Sequence, residues 1–280
     1  MFIGRPLLVL LSLFIATIAN ANPCVTVLRD KEPLFLFSKK LPRPTGSSWK
    51  IKTWEVSEPK EWQASEISSL TKHLYEIRKQ GLTIFFDQIT EAGPIAFFRA
   101  KFGTRLVSDS DGKPTSIPEP KLAALHYRLK NSIHFHDSYF DPNAGKISFG
   151  DTLTDRSEQI MLLHELAHAF DHKSLQYNSS NETFLKLSGW ESSGKLKNVD
   201  EAEIQRVWDE SVSLNKKGLT TEAHNLAKNF AHAHGFPTLY AMMNPSETYA
   251  EMVSFISLAP DAPKYLNPEL ITWFKTNVLK

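Results

Sequence analysis

The stretch Ile160-Met161-Leu162-Leu163-His164-Glu165-Leu166-Ala167-His168-Ala169-Phe170 decides how the rest of the chain is read. It has the pattern of a buried helix that carries His-Glu-x-x-His. On a 3.6-residue period His164 and His168 sit one above the other on a single face. Two neutral imidazoles one turn apart can converge on one Zn²⁺, each at about 2.0–2.1 Å. Glu165 lies about 100° round the same turn, beside the ion rather than on it, where a general base for an activated water belongs. Leu162, Leu163, Leu166, Ala169 and Phe170 cover the opposite side, so the helix lies on a core and turns its polar stripe to a cleft. Asp155 and Glu158, three residues apart, fit a capping box that starts this helix.

Catalytic zinc typically has three protein ligands and one open position. His172 follows His168 by four residues, but eight helical residues span about 12 Å. One ion therefore cannot reach both His164 and His172 on an unbroken helix, and His172 is assigned an outer or structural role. Asp171, near the helix end, is expected to orient something close by. The better third ligand is in Asn244-Pro245-Ser246-Glu247-Thr248-Tyr249-Ala250-Glu251. Pro245 suits a first helical position after an Asn244 cap. Glu247 and Glu251 are then one turn apart on one face. One carboxylate can bind the metal while the other accepts a hydrogen bond from a ligand imidazole and fixes its tautomer. Two plainer readings stand beside this one. Asn244 and Glu247 also form a capping box, with Glu247 holding its own N-terminus, and two carboxylates a turn apart also make a solvated face.

Outward from these motifs, residues 1–21 have the layout of a secretory signal. Arg5 supplies the positive region, Pro6 to Ile18 the apolar run, and Ala19-Asn20-Ala21 the small-residue cleavage site. The apolar run falls short of the roughly 20 residues that span a bilayer. Removing the segment takes one Arg from 32 basic residues and leaves the acidic count at 31. That balance gives no electrostatic footing for nucleic acid or for anionic membranes. The lone cysteine, Cys24, cannot form an internal disulfide, and Pro23 before it suits a lipid-attachment signal poorly.

Residues 22–60 mix short apolar runs with Pro42, Pro44, Gly46 and Pro59, an irregular extension with a few strands. Ile67, Leu70, Leu74 and Ile77 recur at helical spacing, with Gly81 as the stop. Leu82 to Ile89 and Ile95 to Phe102 are β-rich runs, and the segment from Ser108 to Pro120 is expected to be a surface loop. Ile133 to His136 and Lys146 to Phe149 are expected strands joined by Asp141 to Gly145. His134 and His136 share one strand face and are taken as solvated, a second metal there being the alternative. Beyond His172 the pattern is largely helical: Asp200 to Lys217, Thr221 to His234 ended by Gly235, and Pro245 to Leu258. No function is assigned to Cys24, His232 or His234.

The pair His164-Glu165-Leu166-Ala167-His168 and Glu247-Thr248-Tyr249-Ala250-Glu251 resembles the gluzincin zinc metallopeptidases, and within them the anthrax lethal-factor-like group. The resemblance covers about residues 61–260, with its specific matches at these two motifs. It implies an α+β, zincin-like fold: a small mixed β-sheet with a backing helix and the active-site helix, then a mainly helical part. The implied sub-domains are 61–172 and 173–280, the second supplying the third ligand. It also implies one zinc ion held by His164, His168 and Glu247, with Glu251 as an outer partner. Tyr240, seven residues before Glu247, matches a tyrosine that steadies the oxyanion in that group; a core tyrosine after Phe236-Pro237 is the alternative. The longer metzincin motif does not fit, because its glycine and third histidine positions hold Asp171 and Ser174.

The expected activity is hydrolysis of peptide bonds in a protein or peptide substrate by an exported enzyme, secreted or periplasmic, with Glu165 as general base. The Lys146 to Gly150 strand is expected to pair with extended substrate. Two other readings remain open: a zinc-dependent amidase acting on cell-wall peptides, and a non-catalytic binding protein on the same scaffold. Export predicts that the chain recovered outside the cytoplasm begins at Asn22, which intact mass measurement reads directly; a chain retaining Met1 to Ala21 would contradict it.

Overall fold

The computed structural model describes residues 28–29, 32–33, 35–38, 54–91, 93–108, 114–119, 122–127, 131–141, 157–173 and 178–279. Strand β1 (Leu28–Arg29) pairs antiparallel with β2 (Glu32–Pro33). Next come β3 (Phe35–Ser38) and β4 (Trp54–Pro59), then helices α1 (Ala64–Lys79) and α2 (Thr83–Ile89). Strands β5 (Ile95–Ser108), β6 (Pro114–Glu119), β7 (Ala124–Tyr127) and β8 (Ser132–Phe135) lead to helix α3 (Ser157–Lys173). The remainder is helical: α4 (Glu182–Ser188), α5 (Glu201–Lys216), α6 (Thr220–Ala233), α7 (Pro245–Leu258) and α8 (Pro268–Asn277).

The sheet is small and mixed, in the order β3-β5-β8-β7. Strands β3 and β8 run parallel to the first half of β5, and β7 runs antiparallel to β8. The second half of β5 leaves this sheet to pair antiparallel with β4 and β6. Alternation explains which face is covered. Phe35, Phe37, Ile95, Phe97, Ile133 and Phe135 take the positions of one face, and all are buried. Their rings meet edge to face, Phe97 lying 5.0 Å from Phe135 and 5.4 Å from Phe37. Helix α1 adds Leu70, Leu74 and Ile77 to this cluster, and α3 adds Leu162, Leu163 and Leu166. Each large apolar side chain so enclosed is worth roughly 1.5–3 kcal/mol relative to exposure.

A buried charge ties the backing helix to the sheet. Arg99 on β5 donates from Nη2 to Glu66 Oε1 on α1 at 2.9 Å and to Asp137 Oδ1 at 2.6 Å. Glu66 also closes a capping box with Gln63 at the start of α1, so one carboxylate both starts the helix and neutralises the buried guanidinium.

Three expectations need correction. Leu82 to Ile89 is not a strand: Thr83–Ile89 is helix α2. Its Phe85, Phe86 and Ile89 fall on one buried helical face, and a short apolar run does not distinguish the two periods by itself. The Ser108 to Pro120 segment is not all loop, since Pro114–Glu119 pairs with β5 from Gly103 to Ser108. His134 and His136 are not solvated: they are 3% and 0% exposed. Phe98 flanks His134 from the adjacent strand with ring centroids 5.2 Å apart, and His136 Nδ1 meets the Leu122 carbonyl at 3.0 Å. The face opposite the aromatic cluster is therefore closed as well. Residues 1–21, Cys24, Lys146 to Gly150 and Asp155 lie outside the described residues.

Burial lowers the pKa of His134 to about 3 and that of His136 to about 4, from 6.5. Below pH 6.5 the unfolded chain takes up protons that these folded imidazoles refuse, so stability falls with pH until the folded values are reached. Each group costs about 1.4 kcal/mol per pH unit across that window. Urea unfolding of wild type and His136→Gln between pH 7 and pH 4 should show the shallower pH slope in the variant; parallel slopes would contradict it.

Candidate metal centre

Helix α3 and helix α7 pack along each other, and the centre lies where their polar positions meet. Along α3 every residue from Ile160 to Ala169 is buried, including His164, Glu165 and His168 at 7%, 8% and 9% exposure. At the start of α7, Pro245 occupies the first turn and Asn244 caps it, its Oδ1 accepting from the Glu247 N–H at 3.0 Å. The cap is thus supplied by Asn244, while the Glu247 carboxylate is spent on the histidines. Glu251 is 1% exposed, so this face of α7 is not a solvated one.

Glu247 Oε2 lies 3.1 Å from His164 Nε2 and 3.3 Å from His168 Nε2, and the two ring nitrogens are 3.0 Å apart. A tetrahedral ion with bonds of about 2.0–2.1 Å has ligand–ligand edges of about 3.3–3.4 Å. The triangle is therefore close to the size zinc requires, and its donors are two imidazole nitrogens and a carboxylate oxygen. His164, His168 and Glu247 form a group able to hold a metal ion. Each imidazole also has a polar neighbour from α7 at its far nitrogen. His164 Nδ1 lies 2.9 Å from Glu251 Oε1, and His168 Nδ1 lies 3.3 Å from Ser246 Oγ. Thr238 Oγ1 donates to Glu251 Oε2 at 2.8 Å, which fixes that carboxylate in turn.

The charges respond to this crowding. Burial alone would drive a proton off His164, but Glu247 and Glu251 reverse that and hold its pKa well above the usual value. Burial alone would raise Glu247, yet His168 and His164 hold its carboxyl well below the usual range. Glu165 goes the other way: burial raises its pKa, and the Glu247 charge adds to the effect. Glu165 Oε2 accepts the backbone N–H of His126 on β7 at 2.5 Å, which ties the carboxylate to the sheet. Tyr240 stands at the rim with 44% of its surface exposed, its ring 6.0 Å from that of His164. Burial of its phenol end, together with Glu247, Glu165 and Glu251, keeps the hydroxyl protonated far above pH 10.

The remaining polar residues brace the centre. The α3 helix runs unbroken through His172, whose Nδ1 meets His126 Nδ1 at 3.2 Å and whose ring stacks on His168 at 5.9 Å. Asp171 accepts from the N–H and Oγ–H of Ser179 at 2.8 and 2.7 Å, which secures the chain after the helix. Trp190 Nε1 donates to Thr248 Oγ1 at 2.9 Å, and Thr248 donates on to the Ala241 carbonyl. An open pocket of about 420 Å³ is lined by residues that include His172, Ser179, Asn244 and Ser246; none of His164, Glu165, His168, Tyr240 or Glu247 lines it. His126 and Ser246 were missed in the sequence. One histidine in a four-residue strand has no spacing partner, and a serine at a helix start looks like ordinary capping.

No family model matches the chain, and no curated protein matches it. Among solved structures it is similar to a crystal structure from Bacteroides caccae described as "a putative zinc-binding metallo-peptidase". That likeness has 13% sequence identity and a TM-score of 0.31, over 75% of this chain and 70% of the other. It is too distant to carry fold or activity across.

The donor set predicts one bound zinc per chain, displaced by chelator. His164→Ala and Glu247→Ala should each weaken binding by more than the roughly 10–100-fold typical of outer partners, read by competition with a zinc-sensitive dye. Unchanged affinity in both variants would contradict the assignment.

Proposed function

We propose that the protein is an exported zinc-dependent endopeptidase that hydrolyses peptide bonds, with Glu165 as its general base. The observation that carries this reading is the His164–His168–Glu247 triangle with a buried carboxylate on the next residue of the same helix. When bound, Zn²⁺ supplies a Lewis acid that polarises the scissile carbonyl and lowers the pKa of water toward 7. Glu165 takes the proton from the attacking water and delivers it to the leaving amine. Burial raises its affinity for that proton, which moves the base toward the pH at which it must both accept and release. Tyr240 keeps its hydroxyl proton, so it serves as a neutral donor to the oxyanion that develops on the substrate carbonyl. Glu251 and Thr238 hold His164 so that its Nε2 stays aimed at the centre.

Substrate is proposed to be an extended polypeptide. The sequence places its pairing partner at Lys146 to Gly150, outside the described residues; β7 is the described strand that packs against α3 most closely. Export rests on the sequence of residues 1–21. Among the described residues no helix is long and apolar enough to cross a membrane.

Glu165→Gln should lower hydrolysis of a casein substrate by about 10²–10⁴-fold while leaving bound zinc at one per chain. Tyr240→Phe should lower kcat by about 10²–10³-fold with little change in KM. Glu165→Gln as active as wild type would reject the mechanism. Turnover of cell-wall peptide but not casein would replace the endopeptidase by an amidase.

A further inference from the structure

The two ligand imidazoles are held differently at Nδ1. His164 meets a carboxylate directly, Glu251 Oε1 at 2.9 Å. His168 meets only a hydroxyl, Ser246 Oγ at 3.3 Å, and that hydroxyl reaches Asp171 Oδ2 at 3.5 Å. We infer that Ser246 and Asp171 are positioning residues for the metal centre: a relay, His168 Nδ1–H to Ser246 Oγ–H to the Asp171 carboxylate, that selects the His168 tautomer with a bare Nε2. The inference rests on the zinc reading of His164, His168 and Glu247.

The direction of the relay follows from what each group can do. A carboxylate accepts, so the one hydroxyl proton of Ser246 goes to Asp171. That leaves the Ser246 oxygen with lone pairs only, and the partner it can take is an Nδ1 that carries a proton. Neutral imidazole with its proton on Nδ1 presents a lone pair at Nε2, the atom that faces Glu247 and His164. Asp171 is well placed to set this direction. It is 0% exposed, and the N–H and Oγ–H of Ser179 donate to its two oxygens, so the carboxylate is held in one orientation.

The relay is also a clamp. Asp171 lies three residues after His168 on α3, and Ser246 lies one residue before Glu247 on α7. Each end thus sits near a ligand, and the contact between the ends bridges the two helices that supply the ligands. Asn244 supplies the cap of α7, so the Ser246 hydroxyl is not needed to start the helix.

The test uses the full-length protein and a matched pair of variants, Ser246→Thr and Ser246→Val. The two side chains have the same shape and differ only in hydroxyl against methyl. Ser246 lines the open pocket, where water could stand in for the hydroxyl of an alanine variant; valine fills that place. Zinc affinity should fall about 10–100-fold in Ser246→Val and stay near wild type in Ser246→Thr. In zinc-loaded protein labelled with ¹⁵N-histidine, the His168 Nδ1–H proton should exchange slowly with solvent in Ser246→Thr and fast in Ser246→Val. Equal thermal midpoints of the two zinc-free variants would show that the difference is not one of folding. If the wild type binds zinc and the two variants bind it equally well with the same Nδ1–H exchange, the relay is overturned and the metal site stands. If the wild type binds no zinc, the relay and the site reading both fall.

Discussion

Two imidazole nitrogens and a carboxylate oxygen within 3.3 Å of one another is an expensive arrangement to bury. The folded chain maintains it because α3 and α7 are held together by apolar contact over the rest of their length. Leu162, Leu163 and Leu166 on one helix and Tyr249, Met252, Val253 and Phe255 on the other are all buried in the same cluster. That burial offsets the cost of desolvating the polar groups. It also fixes the helices at a distance where side chains seventy-nine residues apart, His168 and Glu247, touch. The sheet contributes less directly. Its strand β7 delivers the His126 N–H to Glu165, so the position of the carboxylate depends on a backbone group rather than on a mobile side chain.

Several parts of this were legible in the residues. The His164/His168 spacing is set by the helix itself, so the motif needed no tertiary information. Pro245 after Asn244 marked the start of α7 to the residue. That start placed Glu247 and Glu251 on one face, and the structure brings both against His164. What the sequence left open at that position was competition for one carboxylate: Glu247 could have closed its own capping box, and only the packing of α7 on α3 decides that it does not. Asp171 was expected to orient something nearby, but its targets, Ser179 and Ser246, come from a later turn and a distant helix.

Other parts were hidden for identifiable reasons. Thr83–Ile89 is rich in residues that favour strands, and its helical state is imposed by the buried face of Phe85, Phe86 and Ile89. His134 and His136 alternate with core residues in the pattern of a half-exposed strand. They are flanked by neighbours that alternation along one strand does not report: Phe98, the register partner of His134 on β5, and Leu122 and Gly103 beside His136; a Cβ on Gly103 would come within 3.2 Å of the His136 ring. Periodicity reports which residues share a face, not whether a second layer covers it.

The Trp190–Thr248–Ala241 chain of hydrogen bonds links three segments at one side of the cleft. Thr248 follows Glu247 directly, and Ala241 follows Tyr240, so a single threonine hydroxyl joins the helix bearing Glu247 to the turn bearing the Tyr240 phenol. Those two groups are thus tied to one another, with Trp190 bonded to the same threonine. The Glu165 carboxylate is moored separately, to the strand β7 side through the His126 N–H, so a shift between helix α7 and the sheet would move it relative to the other two groups.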